Sequence, residues 1–335
     1  MHRLFIGAAL CLLLLAGQST PAASEANSGL LSAQWDNDAL TTGHDDRHYT
    51  NGFHLAYLSG ENRVPALARG LARLLPLLDD AASLRAGLAL GQNIYTPEKI
   101  FEPDPPPDDR PYAGWLYASA GLLADDGRHF DVFELSLGLV GPHARGKEVQ
   151  RWMHRQFGTP PPKGWDHQLA DEFAILLTAE RKWRTRAARV VVPLAGTLRA
   201  DLRPYAGLAL GNVLVQGSGG AVLRLGNDLA FDDGPIGMRP GHCFAGLFDP
   251  SPKLHWYLFA GTGVDAVLHN IFLDGNTLVQ SPSVDKRFLV ADLQTGLAAT
   301  LGPFHGNFTT VWRSAEFKGQ NGVDTFGSLA LSVSF

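Results

Sequence analysis

The residues that could do chemistry fall into three polar clusters separated by long apolar stretches. The first cluster contains Asn37 and Asp38 and continues through residues 45–52, which include Thr50. Carboxylate and amide oxygens crowded into one region suit a hard cation such as calcium. The alternative is an acidic loop that is simply solvated. The composition of this cluster therefore indicates a calcium site without excluding that simpler interpretation.

A histidine in the segment between Gly146 and Gly158 is the candidate general base. At about 100° per residue, the apolar residues of this segment form one helical stripe, which consists of Val149, Trp152, Met153 and Phe157. Gln150 and His154 are i, i+4 neighbours at its border. We expect the stripe to pack against the rest of the protein and to hold His154 where it could accept a proton from water. A purely structural histidine is the alternative.

The third cluster surrounds a proline-rich stretch that stiffens its loop. Lys99 precedes the stretch and Arg110 follows it, so either side chain could contact a phosphate or a carboxylate. An ion pair between Arg110 and its neighbouring aspartates is the alternative. No Gly-x-Ser-x-Gly motif occurs in the sequence, so a serine nucleophile is not indicated.

A period-two pattern identifies the elements that must position these clusters. At the C-terminus Leu329, Leu331 and Val333 alternate with small residues, as in a strand with one apolar face. Similar segments lie at 30–37, 49–58, 84–94, 112–124, 129–140, 171–184, 197–211, 218–228, 254–268, 286–301, 304–315 and 324–335. They predict an all-β fold, a transmembrane antiparallel β-barrel of about 12 strands, because closure removes free edges and lipid accepts the apolar face. If both termini are periplasmic, the three polar clusters converge on the outer rim of the barrel. The segment between Gly146 and Gly158 would then form a short helix in an extracellular loop.

The N-terminus and the composition indicate an exported protein. A basic start, an apolar run over residues 4–16 and small residues up to 26 are typical of a signal peptide. Residues 27–335 then form a single barrel domain, expected in the bacterial outer membrane. No other apolar run approaches the ~20 residues of a membrane-spanning helix. A net charge of −5 gives no indication of a nucleic-acid partner. Because Cys11 lies in the apolar run, Cys243 has no partner for an intramolecular disulfide.

Several short motifs lie in order along the chain: Asn37-Asp38, Asp46-Arg47-x-Tyr49-Thr50-x-Gly52, Tyr95-Thr96-Pro97, Gly141-Pro142, Gly146-Lys147-Glu148-Val149-Gln150 with His154, and Leu225-Gly226-Asn227-Asp228. Their order and spacing resemble the outer-membrane lipid A 3'-O-deacylase family. The resemblance spans essentially the whole mature chain, and the final strand fits it as well. It implies a twelve-stranded barrel that removes the 3'-linked acyloxyacyl group of lipid A by calcium-dependent hydrolysis.

The resemblance also implies roles for individual residues. His154 would activate water, and Gln150 would match a polar neighbour of the histidine. The remaining matches to active-site positions are Asn37, Asp38 and Thr50, with Asp38 near the calcium ion. The substrate would be the lipid A part of lipopolysaccharide in the outer leaflet.

One departure from the family pattern concerns the phosphate contact. Some members carry adjacent basic residues shortly after the Tyr-[Ser/Thr]-Pro motif, whereas this chain has the single Lys99. Lys99 or Arg110 would make that contact, or the preferred form of lipid A differs.

Two other functions fit the same predicted barrel. An outer-membrane phospholipase would share the fold and the calcium ion but would depend on a serine nucleophile. A passive channel or structural barrel would share the fold alone and would tolerate loss of His154.

Overall fold

A single sheet of antiparallel strands dominates the computed structural model, which describes residues 28–41, 46–75, 78–79, 81–192, 196–235, 241–244 and 246–335. The expected signal peptide therefore lies outside the described residues. Over these ranges the strands are β1 Leu30–Asn37, β2 His48–Leu58, β3 Ser83–Thr96, β4 Ala113–Asp125, β5 His129–Val140, β6 Glu172–Trp183, β7 Ala188–Val192, β8 Gly196–Gly211, β9 Leu214–Gly226, β10 Ser251–Asn270, β11 Leu289–Gly302, β12 Phe304–Arg313 and β13 Asp324–Ser334.

The sheet closes into a barrel of twelve strands. β1 pairs with β13 along its whole length, from Leu30 opposite Ser334 to Asn37 opposite Gly327. At the other seam β6 pairs with β8, while β7 pairs only with the first residues of β8. Each of the twelve predicted segments becomes a strand of this barrel, so the predicted fold is confirmed. β7 was not predicted, because a strand of five residues carries too short an alternation to stand out.

Alternation in β2 shows which side of the barrel is apolar. The outward-facing side chains are exposed by 41–42% and are all large and hydrophobic: Phe53, Leu55 and Tyr57. The inward-facing side chains are buried and include Thr50, His54 and Ala56. Large apolar side chains therefore lie on the outer face of β2 and smaller or polar ones on its inner face. An apolar exterior around a polar interior is the arrangement that a lipid solvent favours.

The strand connections form two rims. The connections β1–β2, β3–β4, β5–β6, β8–β9, β10–β11 and β12–β13 lie at one end, which we call the upper rim. Residues 28–29 and 335 and the other connections lie at the lower rim. Three α-helices occur in the described connections: α1 Ala66–Ala72 at the lower rim, and α2 Gly146–Phe157 and α3 Ile271–Asp274 at the upper rim. In the described part of the chain, no helix has the length and apolar character needed to cross a membrane.

The long β9–β10 connection folds back into the barrel. Phe244 fills the space over two inward-facing glycines, Gly87 and Gly121, where an added Cβ would come within 2.4 Å of its ring. The backbone N–H of Cys243 donates to Glu134 Oε2 at 2.9 Å. This unusually long connection is therefore a plug that occupies the interior next to β3, β4 and β5.

The helix predicted in the β5–β6 connection exists as α2, but its predicted packing is only partly correct: Val149 packs against the buried cluster that contains Ile94 and Trp165, and the rest of the stripe does not. The buried residues of α2 are Gly146, Gln150 and His154, whereas the side chains of Trp152 and Phe157 are each 41% exposed. An added Cβ on Gly146 would come within 3.1 Å of the Gly114 backbone and closer still to the ring of Trp165. Because that approach requires a small residue, the side of α2 that carries Gly146, Gln150 and His154 faces the barrel, while Trp152 and Phe157 face outward.

Candidate active site

Asn37 places the first candidate carboxylate at the upper rim. The Asn37 side chain accepts a hydrogen bond from Ala39 N at 2.9 Å and donates one to the Thr50 carbonyl oxygen at 2.9 Å. The first bond caps the short 3-10 helix Asp38–Leu40, and the second fastens the end of β1 to β2. As a result, Asp38 is buried directly after the last residue of the strand.

The Asp38 carboxylate has one satisfied and one unsatisfied oxygen. Oδ2 accepts the Arg47 backbone N–H at 3.2 Å, whereas Oδ1 is buried and has no hydrogen-bond partner among the described residues. Burial raises the pKa of Asp38 well above its usual range, and repulsion from Asp46 raises it further. A buried acceptor without a donor is a position that a cation or a polar ligand atom would satisfy.

His154 contacts a carboxylate and a carbonyl at the same time. Its Nε2 lies 2.5 Å from Asp46 Oδ2, and its Nδ1 lies 2.5 Å from the Pro160 carbonyl oxygen. Both partners are acceptors, so the doubly protonated ring is the form that satisfies both contacts. Burial lowers the pKa of His154, but the hydrogen bonds to Asp46 and to the Pro160 carbonyl outweigh it, so the net pKa is raised. His154 must therefore lose a proton before it can act as a base.

Gln150 lies one helical turn before His154 on the buried face of α2. Its Oε1 accepts the indole N–H of Trp165 at 2.7 Å, which fixes the orientation of the amide. Its Nε2 is buried and lacks a partner among the described residues. The helix therefore presents a free N–H donor and an ionisable imidazole on the same face.

Thr50 belongs to the wall of the same region. Its hydroxyl lies 2.7 Å from the Thr96 hydroxyl, and the side chain is buried. The structure thus brings Asn37, Asp38 and Thr50 together where β1 and β2 end, and it links them to His154 through Asp46. No group of three or more His, Cys, Asp or Glu side chains that could hold a metal ion occurs within the described ranges.

The two candidate phosphate contacts differ in their surroundings. Lys99 is 61% exposed at the upper rim, and its ammonium lies 3.7 Å from Glu102. Arg110 is only 1% exposed, with Nη2 2.9 Å from Glu316 Oε2 and the guanidinium 5.3 Å from the centre of the Tyr95 ring. Neighbouring aspartates were the alternative partners of the Arg110 side chain, but it pairs instead with a glutamate from the β12–β13 connection. Lys99 is therefore the more accessible cation.

His48 holds the segment that carries Asp46 and Arg47. Its backbone has φ = 60°, a left-handed conformation that a non-glycine residue adopts only when its surroundings hold it there. The ring is buried, and Nδ1 donates to the Asp324 carboxylate, with both oxygens at 2.8 Å. The other nitrogen lies 3.6 Å from Asp109 Oδ1. His48 therefore fastens this segment to the first residue of β13 and to the β3–β4 connection.

Sequence reasoning did not identify Asp46 and Asp324 as site residues. Asp46 is 108 positions from His154, and Asp324 is 276 positions from His48. Asp46 belongs to the family-like motif, but an acidic loop residue gives no indication of the histidine that it faces. Only closure of the barrel brings these partners together.

The comparisons with known proteins agree with this architecture. A family model described as "Outer membrane protein LpxR" matches residues 5–335. The solved structure of LpxR from Salmonella typhimurium has a TM-score of 0.73 at 19% identity and covers 91% of this chain and 100% of that chain, a likeness of fold. The β domain of the Bordetella autotransporter BrkA has a TM-score of 0.39 at 11% identity, with coverages of 92% and 99%. No curated protein matches significantly. The chain belongs to the LpxR family of outer-membrane proteins, the lipid A 3'-O-deacylase family that its motifs resemble.

Proposed function

We propose that this protein hydrolyses the 3'-linked acyloxyacyl ester of lipid A, with a water molecule activated by His154. The observation that carries the proposal is the His154–Asp46 pair beside the buried, half-satisfied carboxylate of Asp38. Membership of the family supplies the substrate class. The upper rim would then face the lipopolysaccharide of the outer leaflet.

The contacts of His154 suggest how its ring would act. A hydrogen bond from Nδ1 to the Pro160 carbonyl leaves Nε2 as the basic nitrogen of the neutral ring, on the side of Asp46. Asp46 Oδ2 lies 2.5 Å from Nε2, so the water would first have to displace this carboxylate oxygen. Nε2 would then take a proton from the water as the water oxygen bonds to the ester carbon. The proton would then pass to the departing sugar oxygen as the ester C–O bond breaks. Asp46 would stabilise the imidazolium between these steps, and the free Gln150 amide would offer a donor nearby.

We further propose that Asp38 binds a calcium ion. Its unpartnered Oδ1 and the repulsion between Asp38 and Asp46 fit a site for a hard divalent cation. When bound, calcium would polarise the ester carbonyl and stabilise the oxyanion. Asn37 and Thr50 would act as positioning residues, because the Asn37 side chain contacts the backbone of residues 39 and 50.

Lys99 is our candidate for the contact with a phosphate of lipid A. Its ammonium is exposed at the upper rim, and its partner Glu102 is itself 49% exposed, so the pair can open at little cost. Arg110 would first have to leave Glu316 inside a buried region. For that reason we assign Arg110 a supporting role in the rim and not the first contact with substrate.

The central test replaces His154 and measures lipid A by mass spectrometry. His154→Ala and His154→Gln should each slow 3'-deacylation by ~10²–10⁴, because neither side chain can take up the proton. The folded barrel should persist, which heat-modifiable migration on a gel would show. His143→Ala is the matched control, since His143 lies in the same connection and pairs with Asp171 at 2.6 Å but is 76% exposed.

The same experiment separates the alternative functions. A serine that proves indispensable and becomes acylated, together with an active His154→Ala protein, would favour a phospholipase-like enzyme. Unchanged lipid A in cells with and without the protein would favour a barrel without this chemistry. Equal losses in His143→Ala and His154→Ala would show that His154 acts only through the loop structure.

A second prediction concerns pH. Because the contacts of His154 raise its pKa, its basic form becomes abundant only at higher pH. Asp46→Asn removes the negative charge that favours the imidazolium, so the pKa should fall and the acidic limb of the kcat/KM profile should move to lower pH. The profile should be measured with purified protein at fixed calcium concentration. An acidic limb that stays in place in Asp46→Asn would contradict the pairing.

A third prediction concerns the metal ion. A chelator should abolish deacylation and added calcium should restore it, because the ion would neutralise the desolvated Asp38 carboxylate. Asp38→Ala should lose activity that calcium cannot restore, with heat-modifiable migration retained. Asp104→Ala removes a rim carboxylate that is 89% exposed and should remain fully active. Full activity of the wild-type protein in excess chelator would exclude the calcium ion from the reaction.

A fourth prediction concerns His48. His48→Ala should lower kcat by about tenfold to a hundredfold with little change in KM, because Asp46 and the Arg47 N–H would no longer be held in place. His48→Asn should recover most of the loss, since asparagine tolerates the left-handed backbone and its amide can donate to Asp324. His129→Ala is the control, because it breaks a comparable 2.7 Å pair with Asp126 at the lower rim. An Asn variant as impaired as the Ala variant would contradict this role.

A further inference from the structure

The short helix α1 at the lower rim presents an apolar face that nothing in the described structure covers. Leu67 is 76% exposed, Leu71 52% and Leu74 77%. Leu74 follows the helix in a turn in which its N–H donates to the Leu71 carbonyl at 3.0 Å. The spacing i, i+4, i+7 places the three leucines on one side of the helix. Exposing three leucine side chains to water would cost free energy, so the surroundings of this face must be identified.

The segment before α1 is attached to the edge of the lipid-facing surface. Ser59 N donates to the Ala86 carbonyl at 2.8 Å, and Asn62 N donates to the Leu84 carbonyl at 2.7 Å. These bonds extend the β2–β3 ladder past the end of β2. Leu84 and Ala86 share the outward side of β3 with Leu88, which is 66% exposed on the apolar exterior. The helix therefore begins where the lipid-facing surface ends.

The charges of α1 lie away from its leucines. Arg69 and Arg73 are exposed and, at helical spacing, lie on the opposite side from Leu67 and Leu71. Arg69 Nη2 also donates to the Asn62 carbonyl at 3.3 Å, which ties the helix to the turn before it. No acidic residue occurs within the helix. A basic amphipathic helix of this kind lies in a membrane interface and does not cross the membrane.

We propose that α1 is an interfacial helix that binds phospholipids of the periplasmic leaflet. Its leucine face would enter the acyl-chain region as a continuation of the apolar barrel surface, and Arg63, Arg69 and Arg73 would lie at the level of the headgroup phosphates. The assignment of α1 to the periplasmic leaflet rests on the proposed function, because that function places the upper rim on the outer side of the membrane. The contact with lipid rests on exposure and connectivity.

The test uses the full mature chain reconstituted in vesicles of phosphatidylethanolamine and phosphatidylglycerol. Cys243→Ser removes the buried native thiol, and a fluorophore is then attached to single cysteines introduced as Leu71→Cys on the leucine face or Arg73→Cys on the opposite side of the helix. Leu88→Cys on the barrel exterior serves as the lipid-exposed reference. Acyl-chain nitroxide lipids should quench the labels at positions 71 and 88 to a similar extent. Aqueous iodide should preferentially quench the label at position 73, which is exposed and lies on the side of the helix opposite the leucines.

Two results would overturn the proposal. In the first, iodide quenches the label at position 71 as strongly as the label at position 73, which would place the leucine face in water. In the second, the label at position 71 resists both quenchers and self-quenches as the protein density in the vesicle rises, which would indicate a second copy of the chain. Because both leaflets have the same composition and iodide is loaded on both sides of the vesicle, the readout is independent of orientation and of deacylation. Failure of the proposed function would therefore leave this measurement unchanged.

Discussion

Closure of the sheet between β1 and β13 is the interaction on which the rest of the structure depends. In a hydrocarbon environment each backbone N–H and C=O must find a partner within the protein, so a strand edge cannot remain open. The ladder from Leu30–Ser334 to Asn37–Gly327 meets that requirement and joins β1 to β13. It also brings Asp324 to His48 and so fixes the loop that carries Asp46. The site therefore depends on the same bonds that close the barrel.

A second constraint is the inverted distribution of polarity. The exterior is apolar, while the interior contains ion pairs such as Arg224–Asp201 and Arg313–Asp292, together with the plug anchored on Glu134. The helices at the two rims follow the same rule. α2 buries Gln150 and His154 and exposes Trp152, and α1 exposes three leucines. In a soluble protein these faces would be reversed, because water would be the solvent on the outside.

Three ionisable groups at the upper rim are linked by charge. Asp46 repels Asp38, which raises the pKa of that carboxyl, and it stabilises the protonated ring of His154. One carboxylate thus opposes ionisation of the proposed calcium ligand and favours protonation of the proposed base. A cation bound to Asp38 would weaken the repulsion by which Asp46 opposes ionisation of Asp38. A water molecule at His154 Nε2 would compete with Asp46 for the protonated ring. This coupling connects the proposed metal dependence of the reaction to its proposed pH dependence.

The sequence by itself determined the fold class and the order of the strands. The reason is that period-two alternation is a local feature of the sequence, and a strand with one lipid-facing side retains it. It also placed a helix over residues 146–157 and put Asn37, Asp38, Thr50, Gln150 and His154 among the candidate site residues. It could not determine which face of α2 is buried, because that choice depends on the close approach of Gly146 to Gly114. The Asp46–His154 pair, the His48–Asp324 bond and the burial of Arg110 against Glu316 were decided only by the tertiary structure. Each of these contacts joins residues that are far apart in the chain and become neighbours only when the barrel closes.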